Sequence, residues 1–150
     1  MRRFFGFESD FVDSLRCIPM QVRMQLDVSG VKLKLNEWSK FKPEDRLALS
    51  NRDCGTPEAI FAYRSALFDL VARTSGAPPS MLSELPEPVW EDAGRIPEQV
   101  LIQAHGLGLE IGLEAWSRLD PLERFALVKL SRAGHENRNF LPAMKEFGLA

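Results

Sequence analysis

The segment WSKFKPEDRLAL, residues 38–49, is followed 78 positions later by WSRLDPLERFAL, residues 116–127. Extending the comparison upstream without a gap pairs residues 18–49 with residues 96–127, and thirteen of the thirty-two positions are identical. Self-similarity at a fixed spacing is the signature of a repeated structural unit. Two copies are too few for a solenoid, which needs about three repeats to bury a continuous core. The sequence therefore predicts an internal duplication, with two similar halves packed face to face.

Prolines and glycines mark the predicted ends of helices along the chain. Proline is favoured at the first helical position, and glycine is favoured just after the last one. The strongest helix start is Thr56-Pro57, because a threonine side chain can cap the first turn, and Gly76 is predicted to end that helix. The corresponding marks in the two copies are Pro19, Gly30 and Pro43 in the first, and Pro97, Gly108 and Pro121 in the second. The fold class is predicted to be mainly α.

Each copy also contains a short alternating stretch directly after its glycine. Apolar residues alternate with others at residues 31–35 and again at residues 109–113. A period of two is typical of an extended segment with one buried face. We therefore predict short extended segments at these two places. The lysines of the first segment and Glu110 of the second raise the hypothesis that the two segments pair with each other.

The predicted domain organisation follows from the length of the chain and from one change in composition. A chain of 150 residues fits a single domain with a substantial core. Residues 76–94 are rich in proline and acidic residues, which is typical of an irregular connector. We predict one helical domain over residues 1–150, in which this connector joins halves of about residues 1–75 and 95–150.

The duplicated tryptophans and arginines have both a structural and a functional interpretation. Trp38 and Trp116 could stack on a ligand, but a large aromatic side chain between helices is more simply a core anchor. Arg46 and Arg124 could bind an anion, or each could lay its stem on the tryptophan of its own copy and pair with a nearby carboxylate. The structural interpretation is favoured for both pairs, because duplicated residues hold duplicated corners.

The densest run of polar side chains lies near the C-terminus, outside the copies. It consists of His135, Glu136, Asn137, Arg138 and Asn139. The first copy has no such run at the matching distance, and asymmetry of this kind is expected of a specialised ligand-binding or partner-binding site. Asparagine and histidine side chains that cap backbone groups in a turn give the same pattern. Both interpretations remain open at the level of sequence.

Several function classes are disfavoured by composition and spacing. The net charge of −2 argues against a nucleic-acid partner, and no apolar run is long enough to span a membrane. Cysteine and histidine are too scattered for a metal centre, so neither a metal nor another cofactor is predicted. Cys17 and Cys54 are expected to be reduced thiols in the cytoplasm, although either could approach His135 as a nucleophile pair. The sequence favours a non-enzymatic protein over an enzyme.

Two stretches resemble a known family. The run FVDSLRCIPMQVRMQLDVSGVKLKLNEWSKFKPEDRLAL, residues 11–49, and the ending GHENRNFLPAMKEFGL, residues 134–149, are similar to the conserved nitrate reductase-associated proteins. The resemblance covers nearly the whole chain except the connector. It implies a gene neighbourhood shared with assimilatory nitrate reductase and with the biosynthesis of molybdopterin cofactor. It implies no established activity and no catalytic residues.

Two hypotheses of function follow. The preferred one is an accessory protein that binds nitrate reductase or a cofactor-biosynthesis protein through the connector, residues 76–94, and the polar run, residues 135–139. The second is a small-molecule or cofactor-precursor binding protein, with weak or unknown activity, that uses His135, Glu136, Arg138 and Cys17.

Overall fold

The structure is a computed structural model, and it describes residues 4–8, 17–132 and 134–150, apart from the side chains of His135 and Glu136. The chain is mainly helical and divides into two compact units, unit 1 (Met1–Glu87) and unit 2 (Pro88–Ala150). Unit 1 contains α1 (Met20–Ser29), β1 (Val31–Lys32), α2 (Leu35–Ser39), α3 (Pro43–Asn51), α4 (Pro57–Ser75) and β2 (Ser80–Met81). Unit 2 contains α5 (Glu98–Gly106), α6 (Leu113–Arg118), α7 (Pro121–Leu130) and α8 (Phe140–Glu146). Short 3₁₀ helices lie at Gly6–Glu8, Val89–Glu91 and His135–Asn139.

The helix ends confirm most of the local predictions. The Thr56 hydroxyl accepts a hydrogen bond from the Ala59 N–H at 3.1 Å, and Gly76 ends α4 with φ 83°. At the start of α7, Asp120 accepts from the Glu123 N–H at 2.8 Å and Glu123 accepts from the Asp120 N–H at 3.0 Å. This reciprocal pair satisfies two of the N–H groups that a helix start leaves without partners.

Unit 1 is held together by apolar side chains from α1 to α4. The fully buried members include Val22, Trp38, Tyr63, Leu67 and Val71. Trp38 lies edge-on to Phe41, with ring centroids 5.9 Å apart. Truncating a buried tryptophan to alanine typically costs about 3–5 kcal/mol, so Trp38 is a principal anchor of this unit.

The extended segments are shorter than the sequence pattern predicts, and their proposed pairing is wrong. Only Val31–Lys32 forms a strand, and it pairs antiparallel with Ser80–Met81 of the connector. Within the described residues, 109–112 form no strand. Leu35 and Leu113, at the ends of the predicted segments, begin helices and are 56% and 52% exposed. A helical pattern that begins at these leucines overrides the alternation read from the sequence.

The start of α1 is capped by a residue distant in sequence. The N-cap residue, Pro19, offers no capping side chain, and the buried carboxylate of Glu8 takes this place. It accepts hydrogen bonds from the Met20 N–H at 2.7 Å and from the Phe5 N–H at 3.0 Å. A negative charge is stabilised at a helix N-terminus, so Glu8 ties the N-terminal 3₁₀ helix to α1.

Unit 2 is organised around α7, which is buried on most of its surface. Trp90, from the 3₁₀ helix at Val89–Glu91, lies edge-on to Phe125 with ring centroids 5.0 Å apart. Phe140 and Met144 of α8 are also fully buried. The end of the predicted connector is thus part of this unit's core, and the connector as a whole is divided between the two units.

The two copies have closely similar local structure. Helices α1, α2 and α3 begin at residues 20, 35 and 43, and α5, α6 and α7 begin at residues 98, 113 and 121, a constant separation of 78. Gly30 and Gly108 both have φ 75°, a value that favours glycine over residues with a side chain. The two copies therefore share the spacing of their helix starts and the conformation of their glycine.

Candidate functional site

The polar run at residues 135–139 forms a 3₁₀ helix between α7 and α8. Gly134 precedes it with φ 144° and ψ −173°, a conformation that is essentially restricted to glycine. The Asn137 N–H donates to the Gly134 carbonyl at 3.2 Å. The glycine therefore allows the chain to reverse direction after α7 and to bring Asn137 back towards the end of that helix.

The Asn137 side chain bridges three polar groups of unit 2. Its Oδ1 accepts a hydrogen bond from Gln103 Nε2 at 3.0 Å. Its Nδ2 donates to the carbonyl of Leu130 at 3.1 Å and to that of Arg132 at 3.2 Å. The Leu130 carbonyl is the last of α7, where helical carbonyls lack intrahelical partners, and Arg132 follows two residues later. Asn137 acts as a structural cap that also links α5 to α7.

In the first copy, a direct hydrogen bond takes the place of the asparagine bridge. Gln25 corresponds to Gln103, and its Nε2 donates directly to the carbonyl of Arg52, which corresponds to Leu130. In unit 2, Asn137 stands between the matching amide and carbonyl. The asymmetry noted in the sequence therefore has a structural cause at this residue.

The other members of the run differ in their surroundings. Arg138 is exposed, and Asn139 is partly exposed at the N-cap of α8 without a capping hydrogen bond from its side chain. The backbones of His135 and Glu136 belong to the 3₁₀ helix, while their side chains lie outside the described part of the structure. The structure thus gives a structural role to Asn137 and leaves the predicted roles of the others as predictions.

In unit 2, the tryptophan and arginine of the second copy hold the end of the connector. The Trp116 Nε1–H donates to the Asp92 carbonyl at 3.1 Å. The buried Arg124 guanidinium donates to the Trp90 carbonyl at 2.6 Å and also to the carbonyl of Leu119. Trp116 and Arg124 therefore use their donor groups on backbone carbonyls of unit 2, as residues that support packing do.

In unit 1, the matching corner is more open. The Arg46 guanidinium lies 6.0 Å from the centroid of the fully buried Trp38 ring. It donates to the Trp38 carbonyl at 3.3 Å and to the Ser39 carbonyl at 2.8 Å. Arg46 is only partly buried, whereas Arg124 is 5% exposed. Arg46 therefore lies close to the tryptophan of its own copy.

The two cysteines are free thiols in different environments. Cys17 is exposed and Cys54 is half-buried against the unit 1 core. Burial, with a smaller contribution from the Asp53 carboxylate, raises the pKa of the Cys54 thiol from 9.0 to about 11. Because the thiolate is the nucleophilic form, this environment disfavours Cys54 as a catalytic nucleophile at neutral pH.

An exposed apolar set in unit 2 was not identified from the sequence. It consists of Leu101 and Ile102 on α5, Leu107 just after it and Leu113 at the start of α6. Their exposed fractions run from 40% to 64%, and Ile102 is the most exposed. One signal was available in the repeat, because Leu101 stands where the first copy has Arg23. An apolar residue in place of an arginine on a helix surface indicates that the two helices differ in what they contact at this position.

The described residues also bear on metal binding and on membrane insertion. In the described ranges, no group of three or more His, Cys, Asp or Glu residues is arranged to hold a metal ion. Among the helices of those ranges, none is both long enough and apolar enough to cross a bilayer.

Comparison with other proteins bears on the family of the chain. No curated protein sequence and no solved structure matches it. A family model described as conserved nitrate reductase-associated protein matches residues 4–147, which is nearly the full length of 150 residues. The match includes both copies of the repeat, the connector and the polar run. The chain therefore belongs to the conserved nitrate reductase-associated protein family.

Proposed function

We propose that this protein is a non-enzymatic accessory protein of nitrate assimilation that binds nitrate reductase or a protein that loads its molybdopterin cofactor. The family name links the chain to nitrate reductase. The observation that carries the proposal is the exposed apolar set of unit 2, Leu101, Ile102, Leu107 and Leu113. These four large apolar side chains fall within 13 residues of the chain, and exposed apolar surface is a feature of sites where proteins bind one another.

The contacts of the polar run also support a binding protein over an enzyme. The amide of Asn137, at the centre of the run, is used in bonds to Gln103, Leu130 and Arg132. Burial raises the pKa of the Cys54 thiol to about 11, so its nucleophilic thiolate is scarcer at neutral pH than that of an ordinary thiol. The proposed function therefore relies on surface contacts.

The experiment is a binding measurement between the full-length protein and nitrate reductase, in its cofactor-free and its cofactor-loaded form, at physiological salt. We expect Ile102→Gln to weaken binding by about tenfold, because it removes the most exposed apolar side chain of the set. Phe61→Gln is the matched control, since Phe61 of unit 1 is 66% exposed and Ile102 is 64% exposed. Absence of binding to either form of the reductase would contradict the proposal, as would equal effects of the two substitutions.

A ligand screen separates this proposal from the small-molecule alternative. A pterin or a nucleotide that bound the native protein would raise its melting temperature, because ligand binding to the native state alone stabilises it. We expect no such shift. A shift that disappeared in Arg138→Ala would favour the alternative, since Arg138 is the exposed cation of the polar run.

We also infer that the two copies arose by duplication of one helical unit and that the two halves belong to one domain. The constant separation of the helix starts and the equal φ of Gly30 and Gly108 support the duplication. Exchanging residues 36–42 for residues 114–120 should therefore cost less than about 2 kcal/mol. For one domain, unfolding followed by circular dichroism and by tryptophan fluorescence should coincide. We further expect a cytoplasmic location, which cell fractionation can test.

A further inference from the structure

The β1–β2 pair of unit 1 shows how this fold accepts an extended segment. Val31 pairs with Met81 and Lys32 with Ser80, and the Leu82 N–H donates to the Gly30 carbonyl at 2.8 Å. In an antiparallel pair, hydrogen-bonding residues alternate along the strand. The residue after Gly30 that bonds to the added strand is therefore Lys32.

The added segment also covers the glycine that ends α1. A Cβ atom built on Gly30 would lie 2.9 Å from Leu85 Cδ2 and 3.5 Å from Met81 Cε. Gly30 is buried, and Val31 is only 2% exposed. Because residue 30 has no side chain, the side chains of Met81 and Leu85 can pack against its backbone.

Unit 2 matches unit 1 at the two ends of this stretch, and no described segment covers its glycine. Gly108 has the same φ of 75°, and a Cβ atom built on it would have no heavy atom within 4 Å. The residue before the next helix is extended in both copies, with φ −83° and ψ 151° at Lys34 and φ −76° and ψ 150° at Gly112. Gly108 and Glu110 are exposed and Leu109 is partly exposed. Residues 108–111 are termed the open edge.

The backbone groups of the open edge are available for a partner. The counterparts of the Gly30 carbonyl and of Lys32 are the Gly108 carbonyl and the backbone of Glu110. Among the residues that the structure describes, neither group forms a backbone hydrogen bond. Unpaired strand-edge groups are a template for another extended chain.

We propose that the open edge binds an extended, basic segment of a partner protein by strand addition. This inference rests on the proposed function and specifies the partner surface. Backbone hydrogen bonds supply affinity in this mode, and side-chain pockets supply specificity. An apolar side chain of the partner occupies the space above Gly108, beside the exposed Leu107.

The charge of the partner follows from comparing the two edges. In unit 1, β1 carries Lys32, and the segment that pairs with it continues through Glu84 and Glu87. In unit 2, the position of Lys32 is taken by Glu110, which reverses the charge. Complementary charge selects partners across an interface. The acidic 80–87 segment of a second copy is therefore a poor occupant, and a segment with lysine or arginine is favoured.

The test is a titration of the ¹⁵N-labelled full-length protein with two synthetic peptides, followed by NMR. The basic peptide, PSMLSKLPK, is residues 79–87 of this chain with Glu84→Lys and Glu87→Lys, and the second peptide is the unchanged PSMLSELPE. We expect the basic peptide to shift the amide resonances of residues 107–113, with a dissociation constant below about 1 mM. We expect it to bind about threefold to tenfold more tightly than the acidic peptide.

Charge reversal in the protein completes the test. Glu110→Lys should reverse the preference between the two peptides, whereas Glu87→Lys, with the same change in net charge on unit 1, should leave it unchanged. The proposal is overturned if the open edge shows no shifts or if the acidic peptide binds as tightly as the basic one. Shifts confined to residues 30–32 would also overturn it, since they would show exchange with the internal segment. No nitrate reductase is present, so failure here is distinguishable from failure of the proposed function.

Discussion

Replacing Arg124 by methionine should destabilise the protein far more than the same change at Arg46. The two arginines occupy identical positions in the repeated sequence, and methionine keeps most of the apolar stem while removing the charged donors. Arg124 is 5% exposed and its guanidinium donates to the carbonyls of Trp90 and Leu119. Its loss leaves both carbonyls buried without these donors.

The magnitude follows from these two bonds. A hydrogen bond to a charged group contributes about 1.5–3 kcal/mol, and a buried acceptor left alone adds a desolvation cost. We therefore expect Arg124→Met to reduce the free energy of unfolding by about 3–4 kcal/mol. Arg46 is partly exposed, so water can replace its bonds to the carbonyls of Trp38 and Ser39. For Arg46→Met we expect a loss of about 1 kcal/mol.

The assay is urea unfolding of the full-length protein, followed by circular dichroism and by tryptophan fluorescence. Arg124→Lys is a third variant, because a lysine is a point charge that lacks the planar fork of donors. It should fall between the wild type and Arg124→Met. Equal losses for the Arg124 and Arg46 variants would refute the reasoning, since they would show that the repeated sequence, and not the tertiary surroundings, sets the energy.

Three further predictions concern single residues. Asn137→Ala should lower the free energy of unfolding by about 1–3 kcal/mol in the same urea assay, because it removes the bridge to Gln103 and to the end of α7. The control is Asn139→Ala. Because the Asn139 side chain makes no cap bond, this change should alter the free energy by less than about 0.5 kcal/mol. Lys42→Asp should stabilise the protein by about 1 kcal/mol in thermal unfolding, because Lys42 makes no cap bond at the start of α3 while Asp120 caps the equivalent helix α7. A loss of stability would show that the starts of α3 and α7 are not equivalent. The folded-state pKa of Cys54 lies near 11 and its ordinary value is 9.0, so its contribution to stability is complete below pH 9 and is lost as pH rises towards 11. The unfolding free energies of wild type and Cys54→Ala, compared between pH 8 and pH 11, should therefore converge or cross as pH rises; a constant difference would show that the thiol does not titrate differently on folding.

The proposed site shows the limits of reading function from polar residues. The run at residues 135–139 stands out in the sequence because it lacks a counterpart in the first copy. At Asn137, the structure explains this by a capping bridge. The exposed apolar set and the open edge were not identified in advance, because exposure depends on which other segments cover a helix or a strand.

The unit 1 strand illustrates the same difficulty for the fold. Alternation at residues 31–35 indicates an extended segment, and Val31–Lys32 is indeed one. The sequence pattern contains nothing that identifies Ser80–Met81 as its partner, because that partner lies in a proline-rich connector. Antiparallel pairing is a contact between segments far apart in sequence, and its energy depends on the packing of both.

The amino-acid sequence by itself determined several of the helix starts and ends. Thr56, Asp120, Gly30 and Gly76 act through bonds and dihedral angles within a few residues of themselves, so their effects are readable locally. Only the tertiary structure decided that Glu8 caps α1, because it bonds to a backbone group twelve residues away. It likewise decided that one of two identical arginines is buried and that one of two similar edges is covered. Those outcomes depend on which distant segment supplies the neighbouring atoms, and this cannot be read from the sequence of the repeated segments.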